Sequence, residues 1–168
     1  MKRAQNLLVH SGGFTFTELA VVIALIGIVS IITVPWFVSF LQAERTRGAA
    51  RELVSLLNQA RQLAITRNTP FSVEILTSPQ DRLRFCSGTT TPCPGGNVWI
   101  GAGTDLNGWM GMANGDRITL GPTITFSALG AAITANTLRV QDGQGTSCLD
   151  VVVSPSGRIR ITAAGSCP

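Results

Sequence analysis

The sequence predicts an α+β fold, in which a long N-terminal helix packs on a β-rich C-terminal head built of two sheets. Residues 19–41 form an uncharged apolar run, and a helical spacing of apolar residues continues beyond it to about residue 68. From residue 71 onwards, short apolar segments alternate with turns rich in glycine, threonine and proline, as expected for strands. We therefore divide the chain into a leader (residues 1–13), a transmembrane or assembly helix (14–41), the amphipathic half of that helix (42–68) and a globular head (69–168).

The apolar run is long enough to cross a membrane once. Its 23 residues span about 35 Å as a helix, against about 30 Å for the hydrocarbon core of a bilayer. Glu18, just before the run, is the one charged residue between Arg3 and Glu44. A carboxylate costs about 2.5–3.5 kcal/mol at the membrane centre and less near the edge. Glu18 therefore either lies in the headgroup layer of an ordinary anchor or has a function that offsets this cost.

The short leader before the run indicates the orientation of the chain. It contains Lys2, Arg3 and His10 and no acidic residue, and no Ala-x-Ala-like cleavage site follows residue 41. An ordinary secretory signal would be cleaved at such a site, so we expect the apolar segment to be retained. Lys2 and Arg3 favour a cytoplasmic leader. The head is then expected in the periplasm, on a single-pass protein of the inner membrane.

The second half of the helix is predicted to be amphipathic and to lie against a sheet. Pro35 is expected to bend the apolar half, because it removes a backbone hydrogen bond. Five arginines lie mostly on the other faces, where a solvated surface is the simplest interpretation. We expect the helix to end near Asn68, before Pro70. The predicted buried stripe is Thr46, Ala50, Leu53, Leu57, Ala60 and Ala64, widened by Leu56 and Leu63.

Eight short strands are predicted in the head. Their bounds follow the apolar segments between turn residues. No internal repeat or long disordered segment is expected. The predicted strands are residues 71–76, 83–86, 98–100, 118–120, 123–126, 138–141, 149–153 and 158–162.

The start of the chain resembles the type IV prepilin family. Residues 13–19 read GFTFTEL and precede the apolar run. The resemblance implies that a prepilin peptidase cuts after Gly13 and methylates the new amine of Phe14. It also implies assembly with other pilin subunits, in which Glu18 would neutralise the Phe14 ammonium of a neighbour. A carboxylate in a low-dielectric environment needs such a partner.

The composition of the processed chain limits its chemistry. Loss of the leader leaves 11 arginines against 9 acidic residues, a net charge too small to indicate nucleic-acid binding by itself. It also removes His10, the one histidine, so an enzyme finds little support and no metal or cofactor is expected. The four cysteines can pair in three ways, of which we favour the one that forms two local bonds. These pairs are Cys86–Cys93 and Cys148–Cys167.

Later segments resemble the FimT/GspH-type minor pilins and pseudopilins. They are AARELVSLLNQARQLAITRNTPFSV (residues 49–73), the pair Gly108-Trp109, ITFSALG (124–130) and VVVSPSGRIRI (151–161). The resemblance covers essentially the whole chain and is strongest in its first 75 residues. It implies a pilin-like fold and a place in a pilus or a pseudopilus.

The C-terminal arginines are the candidate ligand-binding residues. The turn sequence SPSG (154–157) precedes Arg158 and Arg160, which would project from one face of a strand about 7 Å apart. This spacing matches successive phosphates of a nucleic-acid strand, and a guanidinium grips phosphate with two hydrogen bonds. In FimT-like minor pilins of transformable bacteria, a Gly-Arg-x-Arg motif is associated with DNA uptake; Gly157, Arg158 and Arg160 match it. The alternative is a plain solvent-facing strand.

Two functions remain open from the sequence. In the first, the protein is a minor pilin that binds DNA without sequence preference for uptake in natural transformation, with Arg139 as a possible extension of the cationic patch. In the second, it is a type II secretion pseudopilin with a structural tip role and no DNA binding. Both place the protein in the inner membrane and then in a pilus or pseudopilus, a filament that could reach the cell surface.

Overall fold

The computed structural model describes residues 15–77, 81–94, 96–112, 117–121 and 123–167. They belong to two compact units, Met1–Ser39 and Phe40–Pro168. One helix, α1 (Phe16–Thr66), contributes to both units. In the described part of the first unit, it carries an apolar stretch of mean hydropathy 2.6 whose side chains are exposed, which fits a membrane anchor. Pro35 lies inside this stretch.

The second unit contains the rest of α1 and two antiparallel sheets. The strands are β1 (Phe71–Leu76), β2 (Arg82–Ser87), β3 (Met110–Gly111), β4 (Arg117–Leu120), β5 (Ile124–Phe126), β6 (Ala132–Thr134), β7 (Thr137–Gln141), β8 (Cys148–Val153) and β9 (Ile159–Ala163). The first sheet has the order β3-β2-β1-β5-β6, and the second has the order β4-β7-β8-β9.

The core of the second unit lies between α1 and the two sheets. All six residues of the predicted helix stripe are buried, Ala49 joins them, and Leu56 and Leu63 pack partly buried at the margin. Phe71, Phe85 and Phe126 fill the space from the first sheet, while Leu138 and Val151 contribute from the second. Every buried apolar residue of the described chain falls within Phe40–Pro168. This unit therefore has its own core and is expected to fold by itself.

The helix ends where the sequence indicated a stop. Asn68 has a left-handed conformation (φ 50°), which asparagine tolerates better than most residues. The amide of Thr69 donates to the carbonyl of Ala64 at 3.2 Å, and the amide of Asn68 donates to Ile65 at 3.2 Å. These bonds satisfy carbonyls of the last turn, so the chain can leave the helix and enter β1 after Pro70.

The strand predictions are right in seven of eight places, with shifts of one residue at some ends. The predicted strand at 98–100 is wrong: the structure has a single bridge there, between Val98 and Cys86. Gly101 and Gly103 come soon after this bridge, and because glycine weakens strand pairing, the bridge does not extend into a longer strand. Two short strands, β3 and β6, were not predicted, because two or three residues give no detectable alternation.

Candidate nucleic-acid interface

The hairpin of β8 and β9 positions the two candidate arginines. Val151 pairs with Ile161 and Val153 pairs with Ile159, and both valines are buried in the core. Because side chains alternate along a strand, Arg160, which pairs with Val152, lies on the opposite, outer face. Arg158 precedes β9 by one residue and shares this alternation. β9 is an edge strand, and four of its five residues, Arg160 among them, are exposed.

The turn between the two strands is closed by several hydrogen bonds. The amide of Ser154 donates to the carbonyl of Arg158 at 2.9 Å, and the amide of Gly157 donates to the carbonyl of Ser154 at 2.8 Å. The Ser154 hydroxyl adds a bond to the Arg158 carbonyl at 3.1 Å. The backbone before the first arginine is therefore fixed.

A second turn supports this one from the side. Residues 127–131 join β5 to β6, and the carbonyl of Pro155 accepts a bond from the amide of Ala132 at 3.0 Å. Gly157 is buried with φ 77°, and a Cβ built on it would lie 2.0 Å from the carbonyl oxygen of Gly130. That same oxygen accepts a bond from Arg61 Nε of α1 at 2.8 Å. The two segments ITFSALG and VVVSPSGRIRI thus meet at one junction.

The two candidate arginines are exposed and available. Both side chains are exposed, and neither has an ion pair or a side-chain hydrogen bond to any residue that the structure describes. A guanidinium in this state keeps all of its donors for a ligand. Gly157 differs from them: it is buried, and its contribution is to let the two turns approach closely.

Arg139 does not extend this patch. Its Nε and Nη2 donate to the two carboxylate oxygens of Asp150, at 2.7 and 3.1 Å, and its Nη1 donates to the carbonyl of Ser166 at 3.0 Å. The hydrogen bonds to Asp150 raise the pKa of Arg139, although its burial acts in the opposite direction. The guanidinium is therefore committed to holding β8 and the C-terminal tail, and its charge is neutralised.

Both cysteine pairs are bonded in the way favoured from the sequence. Cys86 is joined to Cys93, and Cys148 is joined to Cys167. Glu74 lies beside the first bond and accepts hydrogen bonds from Arg84 Nε at 2.8 Å and from the amide of Cys93 at 3.0 Å. Within the described ranges, Glu74, Cys86 and Cys93 are the one group of three with possible metal-ligand atoms within 4.8 Å. The sulfurs are in a disulfide, so they do not offer the thiolates that bind metal.

Glu18 takes part in a capping box at the start of α1. The amide of Thr15 donates to Glu18 Oε2 at 2.8 Å, and the amide of Glu18 donates to the Thr15 hydroxyl oxygen at 3.3 Å. This reciprocal arrangement satisfies two of the free amides at the helix start. Glu18 thus has an intramolecular partner in the single chain. Gly13 and Phe14, the predicted cleavage and methylation positions, lie outside the described residues.

The junction contains Arg61 and Gly130, which the sequence did not single out as site residues. The helix spacing places Arg61 off the buried stripe, and nothing in it relates this residue to Gly130 or Gly157. Their proximity depends on how the two turns pack against the last turns of α1. The one available signal was the presence of residue 130 and residue 157 in the two segments quoted above.

Comparisons with known proteins agree with this fold. Residues 49–157 match the family described as type II transport protein GspH. The type IV minor pilin FimU of Pseudomonas aeruginosa strain PAO1 is 19% identical over 77% of this chain and 99% of that chain, with a TM-score of 0.58. The minor pseudopilin EpsH of the Vibrio cholerae type 2 secretion system is 19% identical over 74% and 99%, with a TM-score of 0.52. No curated protein sequence gives a significant match.

The helix, the two sheets and the family match define a type IV pilin-like protein of the minor pilin and pseudopilin class. More narrowly, the chain belongs to the GspH family. Membership implies assembly with other pilin subunits. The apolar part of α1 that belongs to the first unit fits this assignment, because it is long and apolar enough to serve as an anchor before assembly.

Proposed function

We propose that the protein is a minor type IV pilin whose head binds DNA for uptake in natural transformation. The observation that carries the proposal is the pair Arg158 and Arg160: two exposed guanidiniums that alternate onto one face beside an open edge strand. Neither is neutralised by a described residue, in contrast to Arg139, which is bonded to Asp150. Gly157 completes the motif by closing the turn in front of them.

The expected mode of binding is contact with the phosphate backbone. Alternate residues on a strand are about 7 Å apart, close to the phosphate spacing along one strand of DNA. Such contacts carry no sequence information, so binding would be non-specific. Two arginines give a weak, salt-sensitive site, and several subunits on one filament would strengthen it through multivalency.

The proposal includes a route from the membrane to the filament. A prepilin peptidase would cut after Gly13 and methylate Phe14 while the chain is held in the inner membrane with its head in the periplasm. During assembly the Phe14 ammonium of one subunit would replace the Thr15 amide as partner of Glu18 in the next. An ion pair is the stronger partner in a low-dielectric bundle, so exchange would favour assembly.

The second candidate is a type II secretion pseudopilin with a structural role at the tip. The family description and the likeness to the minor pseudopilin EpsH favour it. In that case Arg158 and Arg160 would be ordinary surface residues. The two candidates therefore differ in a property of the isolated head: DNA binding that depends on these arginines.

A gel-retardation experiment separates the candidates. Residues 40–168, which contain the whole described core, would be compared with an Arg158→Gln/Arg160→Gln variant at low salt. The control is Arg45→Gln/Arg117→Gln, which removes the same charge from exposed positions on α1 and on β4, at the opposite edge of the sheet from β9. We expect retardation by the wild type and the control but not by the hairpin variant. Equal retardation by all three, or by none, would contradict the proposal.

A further inference from the structure

A third arginine lies against the proposed DNA site, and it comes from the helix instead of the hairpin. Arg61 Nε donates to the carbonyl of Gly130 at 2.8 Å. A Cβ built on Gly157 would lie 3.2 Å from the same nitrogen. The Arg61 side chain therefore lies beside the residue that immediately precedes Arg158. No sequence motif includes both positions, which are brought together by the packing of the turn on α1.

The guanidinium of Arg61 is oriented by one hydrogen bond and keeps other donors for a ligand. Its one hydrogen bond to the described chain uses Nε, and the two terminal amino groups have no acceptor among the described residues. Those amino groups carry four of the five N–H donors of an arginine. The residue is half-buried and its Nε is held by Gly130, while its terminal amino groups are not among the buried, unbonded atoms of the described residues and are therefore reachable. A guanidinium held in this way loses less conformational freedom when it binds an anion than one on a free surface stem.

The charge of Arg61 is also not neutralised within the described part of the chain. No ion pair involves it, whereas Arg47 pairs with Glu44, Arg84 pairs with Glu74 and Arg139 pairs with Asp150. The Gly130 carbonyl is a dipole and leaves the positive charge in place. Arg61 is thus cationic, pre-oriented and adjacent to the start of the arginine hairpin.

We propose that Arg61 is a third phosphate-binding residue of this site. The inference depends on the proposed DNA-binding function and extends it: the nucleic-acid backbone would pass from β9, across the hairpin turn, to the last turns of α1. The buried Gly157 keeps this path short, because no side chain separates Arg61 from the turn. The ligand chemistry is the phosphodiester backbone, read without base contacts.

The test measures the salt dependence of binding to a short fluorescent DNA duplex. Each phosphate contact contributes about 0.9 to the slope of log affinity against log salt concentration on duplex DNA. Titrations of residues 40–168 between about 50 and 200 mM salt would compare Arg61→Gln, Arg61→Lys and the exposed control Arg45→Gln. Thermal melts of every variant establish that the head is folded.

We expect Arg61→Gln to bind roughly three- to tenfold more weakly at low salt and to lower the slope by about one unit. Arg61→Lys should keep most of the slope, because it keeps the charge, and Arg45→Gln should match the wild type. An unchanged slope in Arg61→Gln would overturn the inference while the proposed function stands, even if affinity fell through a loosened turn. Failure of the wild type to bind would overturn the proposed function and this inference with it.

Discussion

The carbonyl oxygen of Gly130 occupies the space in which a side chain of residue 157 would begin. A Cβ built on Gly157 would lie only 2.0 Å from that oxygen, and the residue has φ 77°. Real Cβ atoms do not approach backbone oxygens so closely, and L-residues with side chains rarely adopt this conformation. The glycine of the Gly-Arg-x-Arg motif therefore has a folding role: it allows the arginine hairpin to pack on the neighbouring turn.

Gly157→Ala is expected to destabilise the head. The new methyl group must displace backbone at Gly130, and the left-handed conformation adds strain, so we expect a loss of more than about 2 kcal/mol in the free energy of unfolding. Urea denaturation of residues 40–168 measures it. Gly165→Ala is the matched control, because nothing lies within 4 Å of its Cβ position, and it should change stability by less than about 0.5 kcal/mol. Equal stability of the two variants would contradict the packing described.

The capping box at Thr15 allows the two roles of Glu18 to be separated. Glu18→Gln keeps an oxygen that accepts the Thr15 amide, whereas it removes the negative charge. If Glu18 pairs with the ammonium of a neighbour, Glu18→Gln and Glu18→Ala should both fail to assemble. Filament yield by electron microscopy measures this outcome in cells that produce the remaining subunits.

Thr15→Ala is the complementary variant for assembly. It removes the hydroxyl that accepts the Glu18 amide and weakens the helix start by about 1 kcal/mol, but the carboxylate remains. We expect it to assemble. Filaments from Glu18→Gln together with none from Thr15→Ala would show that the cap, and not the charge, is needed.

Acid stability of the head is expected to depend on Asp142, which is 7% exposed. Burial by itself raises its pKa, but hydrogen bonds from the Thr146 hydroxyl and from the amides of Ser147, Thr146 and Gly145 outweigh this and hold the pKa below its ordinary value of 3.8. A depressed folded-state pKa means that the carboxylate stabilises the fold above about pH 3.8. This stabilisation is lost as the pH falls through the folded-state pKa.

Asp142→Asn is the variant that measures this contribution. Its stability deficit relative to the wild type should be largest at neutral pH and should shrink below pH 3.8. Burial raises the pKa of Asp81, so ionisation of this carboxyl destabilises the fold as the pH rises. Because Asp81 is present in both proteins, its contribution cancels in the comparison. Denaturation at a series of pH values gives the difference, and a deficit independent of pH would contradict the role assigned to Asp142.

The C-terminal tail is expected to depend on the bond between Cys148 and Cys167. It closes a loop with a sequence separation of 19 residues, for which chain entropy predicts about 3 kcal/mol of stabilisation. The Cys148→Ser/Cys167→Ser variant should therefore unfold at lower urea concentration and lose the Arg139–Ser166 contact. It should retain DNA binding, because the side chains of Arg158 and Arg160 have no hydrogen bond or ion pair with the described residues of the tail. Loss of binding in a folded variant would place the tail in the site.

The architecture was largely predictable because its hydrophobic patterns repeat over long stretches of sequence. The stripe from Thr46 to Ala64 covers five helical turns, and every predicted member is buried. The strand predicted at 98–100 failed because the apolar residues Val98 and Trp99 pack individually: Val98 makes one bridge to Cys86, and Trp99 contacts Phe85. Local alternation does not distinguish a paired strand from an extended loop with buried side chains.

The site was predictable only in part. The turn sequence before Arg158 predicted where the strand begins, and the alternation of side chains along a strand placed both arginines on one face. Both features depend on neighbouring residues alone. The neutralisation of Arg139 depends on its cross-strand partner Asp150, and the approach of Arg61 depends on two turns meeting at Gly130. These are contacts between distant segments, and a single sequence does not specify their register.

The central claim is that Arg158 and Arg160 bind DNA phosphates, and the salt dependence of DNA affinity tests it most directly. Titration of residues 40–168 with a DNA duplex should give a slope of log affinity against log salt of about −1.8 from two contacts, and steeper if Arg61 adds a third. The Arg158→Gln/Arg160→Gln variant should lose about 1.8 units of that slope. A wild-type slope near zero, or the same slope in wild type and variant, would contradict the claim.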